Sequence, residues 1–163
     1  GGLTNNFSYG PFELDVFFQW SYGNKIFNMT RQILNNSDLA DRANASEEQL
    51  QRWKNPGDIT AVPIAEVPMT AQFLPSSRWV EDGSYLRLKK ITLSFHGSSL
   101  FSKNKGLKDI TIYVSASNLL TFTNYMGLDH ESQNQYSKDN QLGIDTFTQP
   151  TPRTFLIGLN VGF

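Results

Sequence analysis

Few residues in this chain are spaced for chemistry, and those that are suggest surfaces that bind more than groups that break bonds. Asp129, His130 and Glu131 put three ligand-type side chains in succession. Three neighbours in one loop do not converge on an ion as a metal site requires. Ser, His and Asp are present, yet no motif orders them as nucleophile, base and orienter, so no catalytic residue is assigned and no enzyme is expected. The absence of cysteine excludes disulfides and thiolate metal sites, and no metal or other cofactor is called for. Glu13, Asp15 and Gln19 share one parity, which on a strand places them on one face. Trp79 and Tyr125 offer flat rings that could stack on a sugar, although anchoring at a membrane interface explains them equally well.

The elements that must position these residues are strands. Aromatic residues make up 13% of the 163-residue chain and charged residues only 18%, a mixture that suits strands with one apolar and one polar face. A formal net charge of -1 gives no pull towards a polyanion, so nucleic acid is not an expected partner. No run approaches the roughly 18 apolar residues of a transmembrane helix. A start at Gly1-Gly2-Leu3-Thr4 is expected to reflect a processed chain or a piece of a longer product.

Five segments alternate with period two. The first is Leu3 to Tyr9. The second carries Phe12, Leu14, Val16, Phe18, Trp20 and Tyr22 against Glu13, Asp15, Phe17, Gln19 and Ser21, and only Gly10-Pro11 separates the pair, which predicts a tight hairpin. In the third, Ser84 to Phe95, apolar parity slips between Leu88 and Ile91; a β-bulge near Lys89-Lys90 restores one face. The fourth runs from Asp109 to about Thr123. The last is Arg153 to Phe163. Short and long connections alternate strictly, the long ones being about Gly23 to Gly83 and Asn124 to Pro152, as outer-membrane barrels do with short periplasmic turns and long external loops. In the first long loop, Ser46-Glu47-Glu48-Gln49 fits a capping box for a helix that Asn55-Pro56-Gly57 would stop.

A soluble β-sandwich also alternates. Against it stand six large apolar residues on one face of the second segment, with Glu13, Asp15 and Gln19 opposite. Phe12 at one end and Trp20 with Tyr22 at the other sit where membrane girdles lie. The closing strand, with Gly158, Val161 and a terminal Phe163, has the form of a β-signal for outer-membrane assembly.

Several blocks add a resemblance. Gly1-Gly2-Leu3-Thr4-Asn5 followed by Phe17-Phe18-Gln19 and Ser21-Tyr22-Gly23-Asn24, then Arg52-Trp53-Lys54-Asn55-Pro56-Gly57-Asp58, then the run from Arg78-Trp79 through Gly83-Ser84-Tyr85 to Lys89 occur in order. Ser117-Asn118-Leu119-Leu120-Thr121-Phe122-Thr123-Asn124-Tyr125 and Gly158-Leu159-Asn160-Val161-Gly162-Phe163 complete them. Together they resemble the C-terminal region of SusC/RagA-type TonB-dependent transporters. Asp129-His130-Glu131 departs from the Asp-Pro-Glu common in that family.

The resemblance implies that residues 1–163 are an all-β, antiparallel transmembrane barrel segment, about five C-terminal strands of a barrel of about 22, with two long external loops. It implies import of large nutrients, oligosaccharides or oligopeptides, across the outer membrane. Its implied partners are the remaining barrel and plug, a SusD-like surface lipoprotein, TonB acting through the plug, and outer-membrane lipid. A non-transporting scaffold in an envelope complex is the other reading. Five strands cannot close a barrel by themselves, so further strands are expected from the same original chain, cut in an exposed loop, or from another copy.

Overall fold

The structure is a computed structural model that describes residues 1–35, 44–65, 74–97, 109–131 and 143–162. It divides into two compact units, Gly1–Gly23 with Ser84–Asn124 and Thr151–Phe163, and Asn24–Gly83 with Tyr125–Pro150.

The first unit is a five-stranded antiparallel sheet in the order β1 (Gly2–Tyr9), β2 (Phe12–Ser21), β5 (Tyr85–His96), β6 (Asp109–Thr123), β8 (Thr154–Gly162). All five alternating segments are strands, with ends within one or two residues of expectation. Tyr9 pairs with Phe12 across Gly10-Pro11. Gly10 has φ 57°, the positive value that a two-residue hairpin turn with glycine first demands. The expected bulge is also present: Phe17 faces Lys90 and Phe18 faces Leu88, leaving Lys89 as the extra residue. On the far side of β5, Leu88 pairs with Leu120 and Lys90 with Ser117, so β6 bulges too. Asn118 takes φ 54° there, a left-handed conformation that asparagine tolerates better than most residues. Its side-chain amide donates to the Pro152 carbonyl at 3.1 Å.

This register brings one apolar face together across all five strands. Leu14 faces Leu93, Leu93 faces Val114 and Val114 faces Ile157. Leu93, Val114 and Ile157 are exposed, Ile157 at 75%, and Leu14 is half-buried, whereas the polar face hides Arg87 at 5% exposure and Ser115. A soluble sheet has the reverse arrangement, burying its apolar face and wetting its polar one. β1 and β8 are the edge strands of this sheet.

The second unit holds the strands β3 (Lys25–Asn28), β4 (Val80–Asp82) and β7 (Ile144–Asp145), the helix α1 (Met29–Leu34), and 3-10 turns at Glu47–Gln51 and Ser77–Trp79. β3 pairs antiparallel with β4 and parallel with β7. The described parts of the two long connections therefore hold secondary structure, which periodicity did not foretell. Their expected helix is a single 3-10 turn. Ser46 caps it, its hydroxyl accepting from the Glu48 amide at 3.2 Å, but Gln49 does not close the box: its amide donates to the Asn35 backbone carbonyl at 2.8 Å. The turn ends at Gln51, before Asn55-Pro56-Gly57. Those residues form a separate loop in which Asp58 accepts from the Lys54 and Asn55 amides at 2.9 Å each.

Candidate functional site

On the sheet, Glu13, Asp15 and Gln19 lie on the polar face as their parity requires. The Asn6 amide donates to Glu13 Oε1 at 2.5 Å and to Asp15 Oδ1 at 2.7 Å. His96 reaches the same carboxylate, Nε2 to Glu13 Oε2 at 2.9 Å, and its other nitrogen lies 3.3 Å from the Thr111 hydroxyl. Thr92 and Ser115 hydroxyls meet at 3.0 Å, and Arg87 Nε donates to the Thr121 hydroxyl at 3.1 Å. These cross-strand bonds make a hydrogen-bonded polar wall rather than a constellation with a free nucleophile. His96 is its one imidazole among the described residues, and sequence reading did not single it out.

Phe12, Trp20 and Tyr22 are all exposed on the opposite face or just beyond the strand end. Phe12 packs on Phe95, with ring centroids 5.2 Å apart. Gly158 and Val161 lie in β8, and Phe163 is outside the described residues. Gly158 stands opposite Tyr113, whose ring occupies the space that a Cβ at Gly158 would need.

Trp79 and Tyr125 belong to the second unit, and both are buried. Trp79, 3% exposed, has the Arg78 guanidinium 4.6 Å and the Arg31 guanidinium 5.6 Å from its ring centroid, distances at which cation and π-face attract. Arg31 forks onto Glu48 through Nε at 2.9 Å and Nη2 at 2.7 Å, and its third nitrogen reaches Glu81 at 3.0 Å. The hydrogen bonds to Glu48 hold the Arg31 guanidinium above its usual value, and those from Arg31 hold the Glu48 carboxyl below the ordinary carboxylate range. Glu81 also accepts from Asn28 and from the Met126 amide, at 3.2 and 3.0 Å. Burial, then the bond to Asp145, pushes the Tyr125 hydroxyl far above the ordinary phenol range.

Asp145 is the deepest polar residue here, at 1% exposure. It accepts from the Tyr125 hydroxyl at 2.6 Å and from the Thr148 amide at 3.2 Å. Thr30 in turn lies 3.5 Å from Asp145 and accepts from the Phe147 amide at 2.6 Å. Nothing in the local sequence distinguishes Asp145, because two of its three partners, Thr30 and Tyr125, come from distant segments.

Beside this framework opens a cavity of about 580 Å³, lined in part by Leu34, Glu47, Gln51, Met126, Leu128 and Phe147. His130 and Asp129 are buried nearby in sequence, 3.8 Å apart, and no group of three metal-ligating side chains occurs among the described residues.

No family model matches the chain. A TonB-dependent receptor of Formosa agariphila, P3, is 36% identical over 167 aligned residues, covering 99% of this chain and 16% of that protein. SusC of Bacteroides thetaiotaomicron, also a TonB-dependent receptor, is 26% identical over 99% of this chain and 15% of its own length. Among solved structures, the RagAB peptide importer in its open-open state matches all of this chain and 17% of that one, with a TM-score of 0.81 and 26% identity. The chain therefore spans about one sixth of the relatives that it matches.

Proposed function

Because the chain is part of a TonB-dependent receptor of the SusC/RagA type, we propose that it forms the C-terminal wall of an outer-membrane β-barrel that imports oligopeptides or oligosaccharides. The inside-out sheet carries this reading: its apolar face is exposed on every strand while its polar face is tied by hydrogen bonds. Lipid solvates the first face, and a water-filled lumen solvates the second. Glu13, Asp15 and Gln19 then line the lumen, while Phe12 marks one membrane boundary and Trp20 with Tyr22 the other. Strands supplied outside this segment pair with β1 and β8, since an unpaired edge in lipid costs several kcal/mol per orphaned group. In a barrel of about 22 strands, a plug fills the lumen, TonB draws on the plug, and a SusD-like lipoprotein covers the outer mouth. Gly158, Val161 and Phe163 present the assembly signal.

Uptake of labelled oligopeptides and oligosaccharides by cells with and without the full receptor tests the proposal. Import predicts that deletion abolishes uptake of one class, and that collapsing the proton gradient does the same. Unchanged uptake of both classes, with loss of an envelope complex instead, would establish the scaffold role.

A further inference from the structure

We infer that the cavity walled by Leu34, Met126, Leu128 and Phe147 is a binding site for an oligopeptide segment that presents an apolar side chain next to a cationic one. The inference rests on the importer reading only for where the peptide comes from.

Three observations carry it. The first is shape. A concave space of about 580 Å³ is in the range of small-ligand sites, roughly 300–1,000 Å³, whereas a protein partner needs a broader surface of about 800 Å² a side.

The second is what remains free in the lining. Arg31 and Glu48 bind each other, the Asn28 side chain is bonded to Glu81 and to the Arg31 amide, and Ser46 caps its own turn. Thr30 is held by Asp145 and Phe147. With those polar groups consumed, the cavity offers a guest thioether, leucine and phenyl surface, much of it exposed at Met126, Leu128 and Phe147, together with only two polar side chains, Glu47 and Gln51. The Glu47 carboxylate has no partner among the described residues and lies at the rim. A sugar would leave most of its hydroxyls unmatched on such a surface, at a cost for each. An apolar side chain gains by burial, and an adjacent ammonium or guanidinium gains from the carboxylate.

The third is strain. Phe147 holds φ 52°, a left-handed conformation that bulky residues avoid. The Thr30 hydroxyl fixes the Phe147 amide in place. A glycine would sit there without strain. The surrounding structure thus holds a costly conformation that keeps a half-exposed phenyl ring at the cavity, the kind of stored strain that marks binding sites.

The test uses the full receptor in detergent and two N-terminally fluorescein-labelled pentapeptides, Gly-Leu-Lys-Gly-Gly and Gly-Leu-Glu-Gly-Gly, followed by anisotropy. The basic peptide should bind about tenfold tighter than the acidic one, as one charge-assisted contact allows. Glu47→Lys should reverse that order. Phe147→Gly should weaken both peptides about tenfold while melting no lower than the parent, a combination that a purely structural phenylalanine would not give. The inference is overturned if both variants bind the basic peptide as the parent does, or if maltoheptaose displaces it as well as unlabelled peptide does. It is also overturned if the variants keep peptide affinity but shed a bound surface protein, which would make the cavity a protein seat. A receptor that binds peptide as stated yet imports nothing would refute the importer reading and leave the site standing.

Discussion

Tyr113 and Gly158 form a cross-strand pair in which one partner has no side chain and the other lays its ring over the vacancy. Such aromatic cover offsets the packing that glycine lacks in a strand. Gly158→Val would drive methyl groups into the ring and should cost about 1–3 kcal/mol by overpacking. Urea unfolding of the full receptor measures it, and in a Tyr113→Ser background the same change should cost much less, because the clash has gone. A second single-residue effect concerns pH. The folded Glu48 carboxyl titrates below its unfolded value, first because Arg31 hydrogen-bonds its charged form. Its contribution is fully present above the unfolded carboxylate value, about 4.3, and is lost as pH falls through the lower folded value. Limited proteolysis within 24–83 should therefore accelerate only below about pH 4, and Glu48→Gln should flatten that acid response.

Among the elements, the five long strands were legible in the sequence because each has one apolar and one polar face, and that alternation writes period two into the chain. The bulge was legible for the same reason: Leu88 and Ile91 share a face only if Lys89 is extra. Its counterpart in β6 was hidden, since Asn118 takes its left-handed turn without breaking the apolar pattern around it. Asn118→Gly should leave stability within about 0.5 kcal/mol, whereas Asn118→Val should cost about 1–2 kcal/mol at a positive φ; thermal unfolding of the two variants separates them. The short elements β3, β4, β7 and α1 were not legible. None is long enough to show a period, and each is held by partners distant in sequence, such as Phe27 against Ile144. The burial of Trp79 and Tyr125 has the same origin. Their rings look like exposed platforms in one dimension and become the core of a unit only when Arg31 and Asp145 arrive from elsewhere. The run from Arg78 to Lys89, which carried the family resemblance, gains a physical reason residue by residue. Arg78 covers Trp79, Glu81 ties Arg31 to Asn28, and Gly83 leaves room for Asn24 and Ile26.

For the whole molecule, a barrel wall requires that different solvents meet the two faces of the sheet. The chain contains no cysteine, so single cysteines placed in β2 report only on their own positions within this segment. In the full receptor, in native outer membranes, Glu13→Cys, Asp15→Cys and Gln19→Cys should react with a charged, water-borne thiol reagent. Leu14→Cys, Val16→Cys and Phe18→Cys should instead react with a lipid-dissolved one. Strict alternation of the two reagents along β2 is the predicted result. Equal labelling of both parities by the water-borne reagent would mean that the apolar face meets no lipid, and the barrel-wall account would fail.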